Sequence, residues 1–397
     1  MASDNEQLSY YTPGLLIPWR WKRNESCTPL DLGEFSLASD KPAPLLRDQP
    51  PSAPKLKPAP AKREAKGVIE GFIEFREWLN TPSPPKPETI RPRVKPFDLQ
   101  DIPGAMERIG WPMSAKVMRK WFAGELNYAN TDDGAKFGIN QDGMPFPPSM
   151  IDTTTFKLEW ILGFPRAKEK YLQLISKMIF EPGATRVLKS ICSRLEPSPY
   201  YTDTWKACNE DINRYHKEFQ FQFNRVDSEN ADKFRMFLKG VAAPNGLFMD
   251  DLYGSLGAFS FNVALDGFFY QRVGPTRTRL AIEKISVYMR DVFTFHDRAG
   301  KALGVLPSGT QYLGHWNKTG FILIPGAIAA GEISTADWLM YPVARGGVIS
   351  DSTVYYPVRN KDYREWQLKH KQGGDLVLYS DRKIIRFPAP YVVEFDL

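Results

Sequence analysis

The chain has 397 residues, 42% of them apolar, with 52 lysines and arginines against 46 aspartates and glutamates for a net charge of +6. That length and apolar share suit one large domain or two ordinary ones with a sizeable core. The charge excludes a broad basic face: residues 41–96 carry +6, residues 1–40 carry −3 and the remainder is left with +3, so no nucleic acid is expected as a partner of the body.

The opening Met1-Ala-Ser-Asp-Asn-Glu is acidic and polar, without the basic and then apolar stretches of a signal peptide. The longest apolar run, residues 321–330, carries Pro325 and Gly326 and is too short to span a bilayer. Three widely spaced cysteines, Cys27, Cys192 and Cys208, suggest neither a disulfide framework nor a zinc pattern. Synthesis in the reducing cytoplasm is expected, with export, if any, by a machine that needs no signal peptide.

Residues 1–96 read as a proline-rich, mostly disordered arm. An aromatic cluster, with Tyr10, Tyr11, Trp19 and Trp21, docks either on the body or on a partner. Lys41-Pro-Ala-Pro44, Lys57-Pro-Ala-Pro60 and Pro82-Ser-Pro-Pro-Lys-Pro87 place extended linker over 41–66 and 81–96, because proline fixes φ and lacks an N–H. Between them, residues 67–80 put Val68, Ile69, Phe72, Ile73, Trp78 and Leu79 close to one helical face. Two readings stand open: a helix for a partner's groove, with Phe72, Ile73, Trp78 and Leu79 as binding residues, or a segment that folds back on its own body.

Residues 97–397 read as one α+β body, with a possible subdivision near residue 210. Pro112 starts a helix whose apolar face holds Met113, Val117, Met118, Trp121 and Phe122. Residues 128–150 look like loop, and their aspartates lack calcium-loop spacing. Helices are expected over 165–180 and 183–195. Phe219, Phe221 and Phe223 then alternate with polar residues, as do Phe261, Val263 and Leu265, the pattern of strands buried on one face. Leu280 and Ile282 change phase to Ile285, Val287 and Met289, which predicts a bulge near Glu283-Lys284. A helix over 360–371, stopped by Gly373-Gly374, precedes a closing hairpin that turns at Ser380-Asp381, and one more strand over 391–395. Helices first and strands later predict N-terminal helices packed on a largely antiparallel sheet.

No nucleophile elbow, phosphate loop, dinucleotide fingerprint or zinc-protease motif occurs, so neither a cofactor nor a metal is expected. His296, Asp297 and His315 share a polar, aromatic stretch with Asp291, a combination that can run acid–base work but is commoner as plain hairpin polarity. Arg290 and Asp291, adjacent in a strand, point to opposite faces.

Ile102-Pro-Gly-Ala-Met106, Gly110-Trp-Pro112, Asp250-Asp-Leu-Tyr253, Val287-Tyr-Met-Arg-Asp291 and Gln311-Tyr-Leu-Gly-His-Trp-Asn317 resemble an uncharacterised bacterial family, domain of unknown function 6402. The resemblance implies an association with type VI secretion. It makes the chain an effector or cargo acting in a recipient cell, with a spike protein or chaperone and an immunity protein as partners. The alternatives are a non-enzymatic adaptor that loads another effector, or a hydrolase with a site around Asp291. The family block usually has an aromatic residue in place of His315 and lacks the insertion over 298–310. That shifts the candidate catalytic set to Tyr288, Arg290, Asp291 and Gln311, with Trp316 as a binding residue.

Overall fold

Prolines and short capping side chains set the helix boundaries in a computed structural model of the chain, which describes residues 11–13, 21–23, 36–37, 41–47, 94, 96–227, 249–297, 310–322, 342–344 and 350–396. The helices are α1 (Ile102–Arg108), α2 (Pro112–Phe122), α3 (Asp132–Phe137), α4 (Leu158–Leu162), α5 (Pro165–Ser176), α6 (Pro182–Cys192), α7 (Thr204–Ala207), α8 (Ile212–Phe219), α9 (Asp251–Leu256) and α10 (Asn360–His370). Proline opens α2, α5 and α6, where its missing N–H costs nothing. Thr131, Asp203, Asp211 and Asp250 cap α3, α7, α8 and α9. Helix α2 has no cap of its own. Asp251 supplies one from α9, accepting the N–H groups of Met113 and Ser114 at 2.9 and 2.8 Å.

The strands are β1 (Tyr11–Pro13), β2 (Trp21–Arg23), β3 (Ile151–Phe156), β4 (Ser198–Asp203), β5 (Gln220–Val226), β6 (Phe259–Arg272), β7 (Arg277–Phe293), β8 (Tyr312–Asn317), β9 (Gly320–Ile322), β10 (Val343–Ala344), β11 (Val354–Arg359), β12 (Leu376–Ser380) and β13 (Lys383–Asp396). They form two mixed, mostly antiparallel sheets, so the fold is α+β as expected. The first runs β3-β12-β7-β6-β4, with β13 beside β7 and β5 beside β6; the second runs β2-β1-β10-β11-β8-β9. The expected bulge is present: β6 and β7 change register between the Gly267–Lys284 and Phe268–Ile282 pairs.

Two local expectations are corrected. Strands β12 and β13 do not pair with each other as a hairpin. They lie in series along β7, against residues 290–293 and 277–287, because β7, at 17 residues, is long enough to take both. The second concerns burial on one face. Asn262 and Asp266 are as buried as Phe261 and Val263, because α5 and α6 cover one face of the sheet and α7 and α8 cover the other. On β5 the alternation breaks where its register shifts between Gln220 and Gln222, which leaves Phe221 buried and Phe223 exposed.

Two cores result. The first joins the large sheet to α4–α8 through residues such as Tyr171, Leu188, Phe261, Val287 and Met289; Cys208 and Ile212, on either side of residue 210, both belong to it. The second joins α1, α2 and α10 to the small sheet through Trp111, Trp121, Trp316, Tyr356 and Trp366. Helix α2 serves both, turning Val117 to the first and Met118, Trp121 and Phe122 to the second. Leu37 and Val94, from the stretch read as arm, are buried in the second core beside Phe97 of the body. No helix among the described residues is long and apolar enough to cross a membrane.

Candidate functional site

Strand β7 carries three of the residues chosen from sequence and divides them between its faces. Tyr288 pairs across the sheet with Asn262, and Arg290 with Ser260 and Tyr379; Asp291, one step on, pairs with Leu378 and faces the other way. Tyr288 is fully buried. Its hydroxyl lies 3.0 Å from Nδ1 of His216 on α8. Arg290 Nε donates to the Tyr379 hydroxyl at 3.2 Å, and that hydroxyl donates to Asn213 Oδ1 at 3.0 Å. Arg290 also reaches the Lys136 carbonyl.

Burial, with the Arg290 charge added to it, lowers His216 to about 3, and burial raises Tyr288 well above the usual phenol range. At neutral pH both groups are uncharged. The pair joins α8 to the sheet as a neutral hydrogen bond and is not tuned for proton transfer near pH 7.

Gln311 is remote from these groups. It sits exposed at the entry to β8 in the other sheet, its N–H donating to Asp297 Oδ1 at 2.8 Å and its carbonyl accepting from the Asn360 N–H at 3.1 Å. Trp316 is buried in the second core, its ring centre 4.6 Å from that of Phe321 and 6.2 Å from that of Trp111. His296 pairs with Asp132 at 2.8 Å, and His315 is buried against the Tyr312 hydroxyl. The structure therefore brings Tyr288 and Arg290 together, and separates them from Asp291 by the sheet and from Gln311 and Trp316 by the division into two sheets. Phe72, Ile73, Trp78 and Leu79 lie outside the described residues.

Sequence reasoning passed over a denser cluster at the bulge. Asp266 is 1% exposed, yet it receives Lys284 Nζ at 3.1 Å, Arg382 Nη1 at 2.9 Å and the Ser286 hydroxyl. Lys284 also meets Asp203 at 3.3 Å, and Arg382 donates to Ser286 Oγ at 2.9 Å. Two acids and two bases thus cancel at the junction of α7, β6, β7 and the turn before β13, as buried charges require. The signal in the sequence was the phase change, which marked Lys284; the pairing that brings Asp266 beside it is seen only in the register of β6 and β7.

Among the described residues a cavity lies elsewhere, over the second sheet. It measures about 450 Å³ and is lined by Lys41, Phe97, Asp98, Asp101, Lys318 and Asp351 among others. One wall comes from the N-terminal stretch. There Lys41 Nζ meets Asp101 at 2.8 Å, the Arg47 N–H donates to the Ala123 carbonyl at 3.1 Å, and the Tyr356 hydroxyl donates to the Val94 carbonyl at 2.7 Å. Arg47 and Val94, which flank residues 48–93 in the sequence, are thus both bonded to the body. Among the described residues no group of three or more histidine, cysteine or acidic side chains is placed to hold a metal.

Compared with known proteins, residues 97–395 match a family of unknown function, DUF6402. No curated protein and no solved structure matches the chain.

Proposed function

We propose that this chain, which belongs to the DUF6402 family of unknown function, is an effector or cargo of a type VI secretion system. It is made in the cytoplasm and handed to a spike protein or chaperone through its N-terminal span. The observation that supports this reading is the anchoring of that span. Residues 48–93 are proline-rich and basic, and the two residues that flank them, Arg47 and Val94, both bond to the body. With both flanking residues held, chain length alone limits the distance between the body and a partner that takes residues 67–80, which favours a partner bound beside the body. An apolar helical face of this kind suits a partner's groove.

The test is co-purification of the full chain with candidate spike proteins, with and without residues 67–80. The reading expects capture that depends on that segment, together with harm to a host that expresses the chain in cytoplasm or periplasm without an immunity protein. Capture without harm in either compartment would favour a non-enzymatic adaptor. Failure of capture by every spike and chaperone of the same genome would end the delivery reading.

A further inference from the structure

Residues 41–47, Lys-Pro-Ala-Pro-Leu-Leu-Arg, cross the surface without joining a helix or strand. The body holds them chiefly by their carbonyl groups. Gln100 Nε2 donates to the carbonyls of Lys41 and Pro42 at 3.2 and 3.3 Å. Gln372 Nε2 donates to the Pro44 carbonyl at 2.8 Å and is itself fixed by the Phe122 carbonyl at 2.8 Å. Asp101 takes the Lys41 ammonium at 2.8 Å, and Ala43 packs against the second core. Prolines offer no N–H, so carbonyls are the main-chain groups by which such a peptide can be read. Side-chain amides on either flank, with a carboxylate for the leading lysine, meet that requirement.

The tetrapeptide held there occurs twice. Lys41-Pro-Ala-Pro44 recurs, residue for residue, as Lys57-Pro-Ala-Pro60. The contacts just described use the lysine ammonium, the carbonyls of the lysine and both prolines, and the alanine methyl, all of which the second copy supplies. We infer that Gln100, Asp101 and Gln372 form a recognition groove for Lys-Pro-Ala-Pro peptides, and that Lys57–Pro60 of this chain is its alternative occupant. Exchange of one copy for the other shortens the span between groove and Val94 and so changes how far residues 67–80 reach. The inference stands on the groove contacts and the repeated motif, independently of any secretion partner.

Zero-length carbodiimide cross-linking of the full chain, read by mass spectrometry, tests it. In the unaltered chain Asp101 is expected to join Lys41. In a chain carrying Lys41→Ser, Pro42→Ser and Pro44→Ser, the Asp101 adduct is expected to shift to Lys57, with the Lys120–Asp152 adduct, from a pair 2.6 Å apart, reporting that the body is folded. Mixing heavy-isotope and ordinary chains separates adducts within one copy from adducts between copies. An Asp101 adduct spread evenly over Lys55, Lys57 and Lys62, or found only between copies, overturns the assignment of occupant. Should the triple variant lose the Lys120–Asp152 adduct, the unaltered chain decides. An excess of a synthetic peptide spanning residues 55–63 is expected to displace the Lys41–Asp101 adduct, and the same peptide with serine in place of both prolines is not. Equal displacement by the two peptides removes the groove.

Discussion

The Arg382 guanidinium lies over Trp205, 3.6 Å from the ring centre, while its Nη1 reaches the buried Asp266 at 2.9 Å. One side chain thus joins α7 to the bulge of the long hairpin by two kinds of contact, a cation over an aromatic face and a charge-assisted hydrogen bond. Tyr215 of α8 flanks the same guanidinium at 5.5 Å. The helices over this face of the sheet are therefore seated on charge as well as on apolar area, and the seat tolerates little change in either.

Asp266→Asn tests the charge. The substitution leaves Lys284 and Arg382 facing an uncharged amide in a site 1% exposed, and removing one member of a buried ionic set costs about 3–5 kcal/mol. Urea unfolding is expected to show a lower midpoint with an unchanged slope. A loss of only about 0–1 kcal/mol, the range of surface pairs, would mean that water screens the cluster.

His216→Gln tests the neutral pair. The folded-state value of His216, about 3 against an ordinary 6.5, means that the unfolded chain binds a proton in that interval and the folded chain does not. Stability from this group is complete above about pH 6.5 and falls as pH drops below it, by at most about 1.4 kcal/mol per pH unit. Unfolding measured between neutrality and pH 4 is expected to be less pH-dependent in the glutamine variant. Identical pH profiles would show that His216 is solvated.

The amino-acid pattern made the bulge near Glu283-Lys284 legible because apolar alternation changes phase there. It made the helices α2, α5 and α6 legible because a 3.6-residue stripe marks each, with a proline read at the start of α2. The placement of β12 and β13 was not legible, since a turn at Ser380-Asp381 predicts pairing between its neighbours, and only the length of β7 offers both a better partner. Of the candidate site, the opposed faces of Arg290 and Asp291 followed from strand geometry. The partner of Tyr288 did not, because His216 lies 72 positions away on a helix whose packing no local signal fixes. Gln100 and Gln372 were missed for the same reason: in sequence a lone glutamine reads as surface until the peptide it holds is in view.

Asp362→Asn is expected to act with the opposite sign to His216→Gln. Burial, outweighing the nearby Arg359 charge and N–H, pushes Asp362 up to about 6. A carboxyl raised in the folded state contributes stability that is full below its ordinary value near 3.8 and is lost as pH rises through about 6. Asparagine keeps an acceptor for the Arg359 N–H, which Asp362 Oδ2 meets at 2.6 Å, without the charge. The variant should therefore gain on the wild type as pH rises from 4 to 7. A constant difference between the two chains across that range would contradict it.

Gly314 and Gly104 make a matched pair for the last test. Gly314 lies in the Gln311–Asn317 block with a φ of +104°, and a Cβ there would collide with the Cε2–Cδ2 edge of the Phe321 ring. Phe321 is held between Trp111 and Trp316, so the ring has nowhere to move. Gly314→Ala carries a backbone penalty of about 1–3 kcal/mol and an overpacking cost of about 1–3 kcal/mol, and its near-ultraviolet circular dichroism should change as Trp316 shifts. Gly104, within α1, has open space where its Cβ would stand. Gly104→Ala is therefore expected to stabilise by about 0.5–1 kcal/mol through helix propensity alone. If the two substitutions moved the unfolding midpoint equally, the glycine of the block would owe its place to something other than the packing of Phe321.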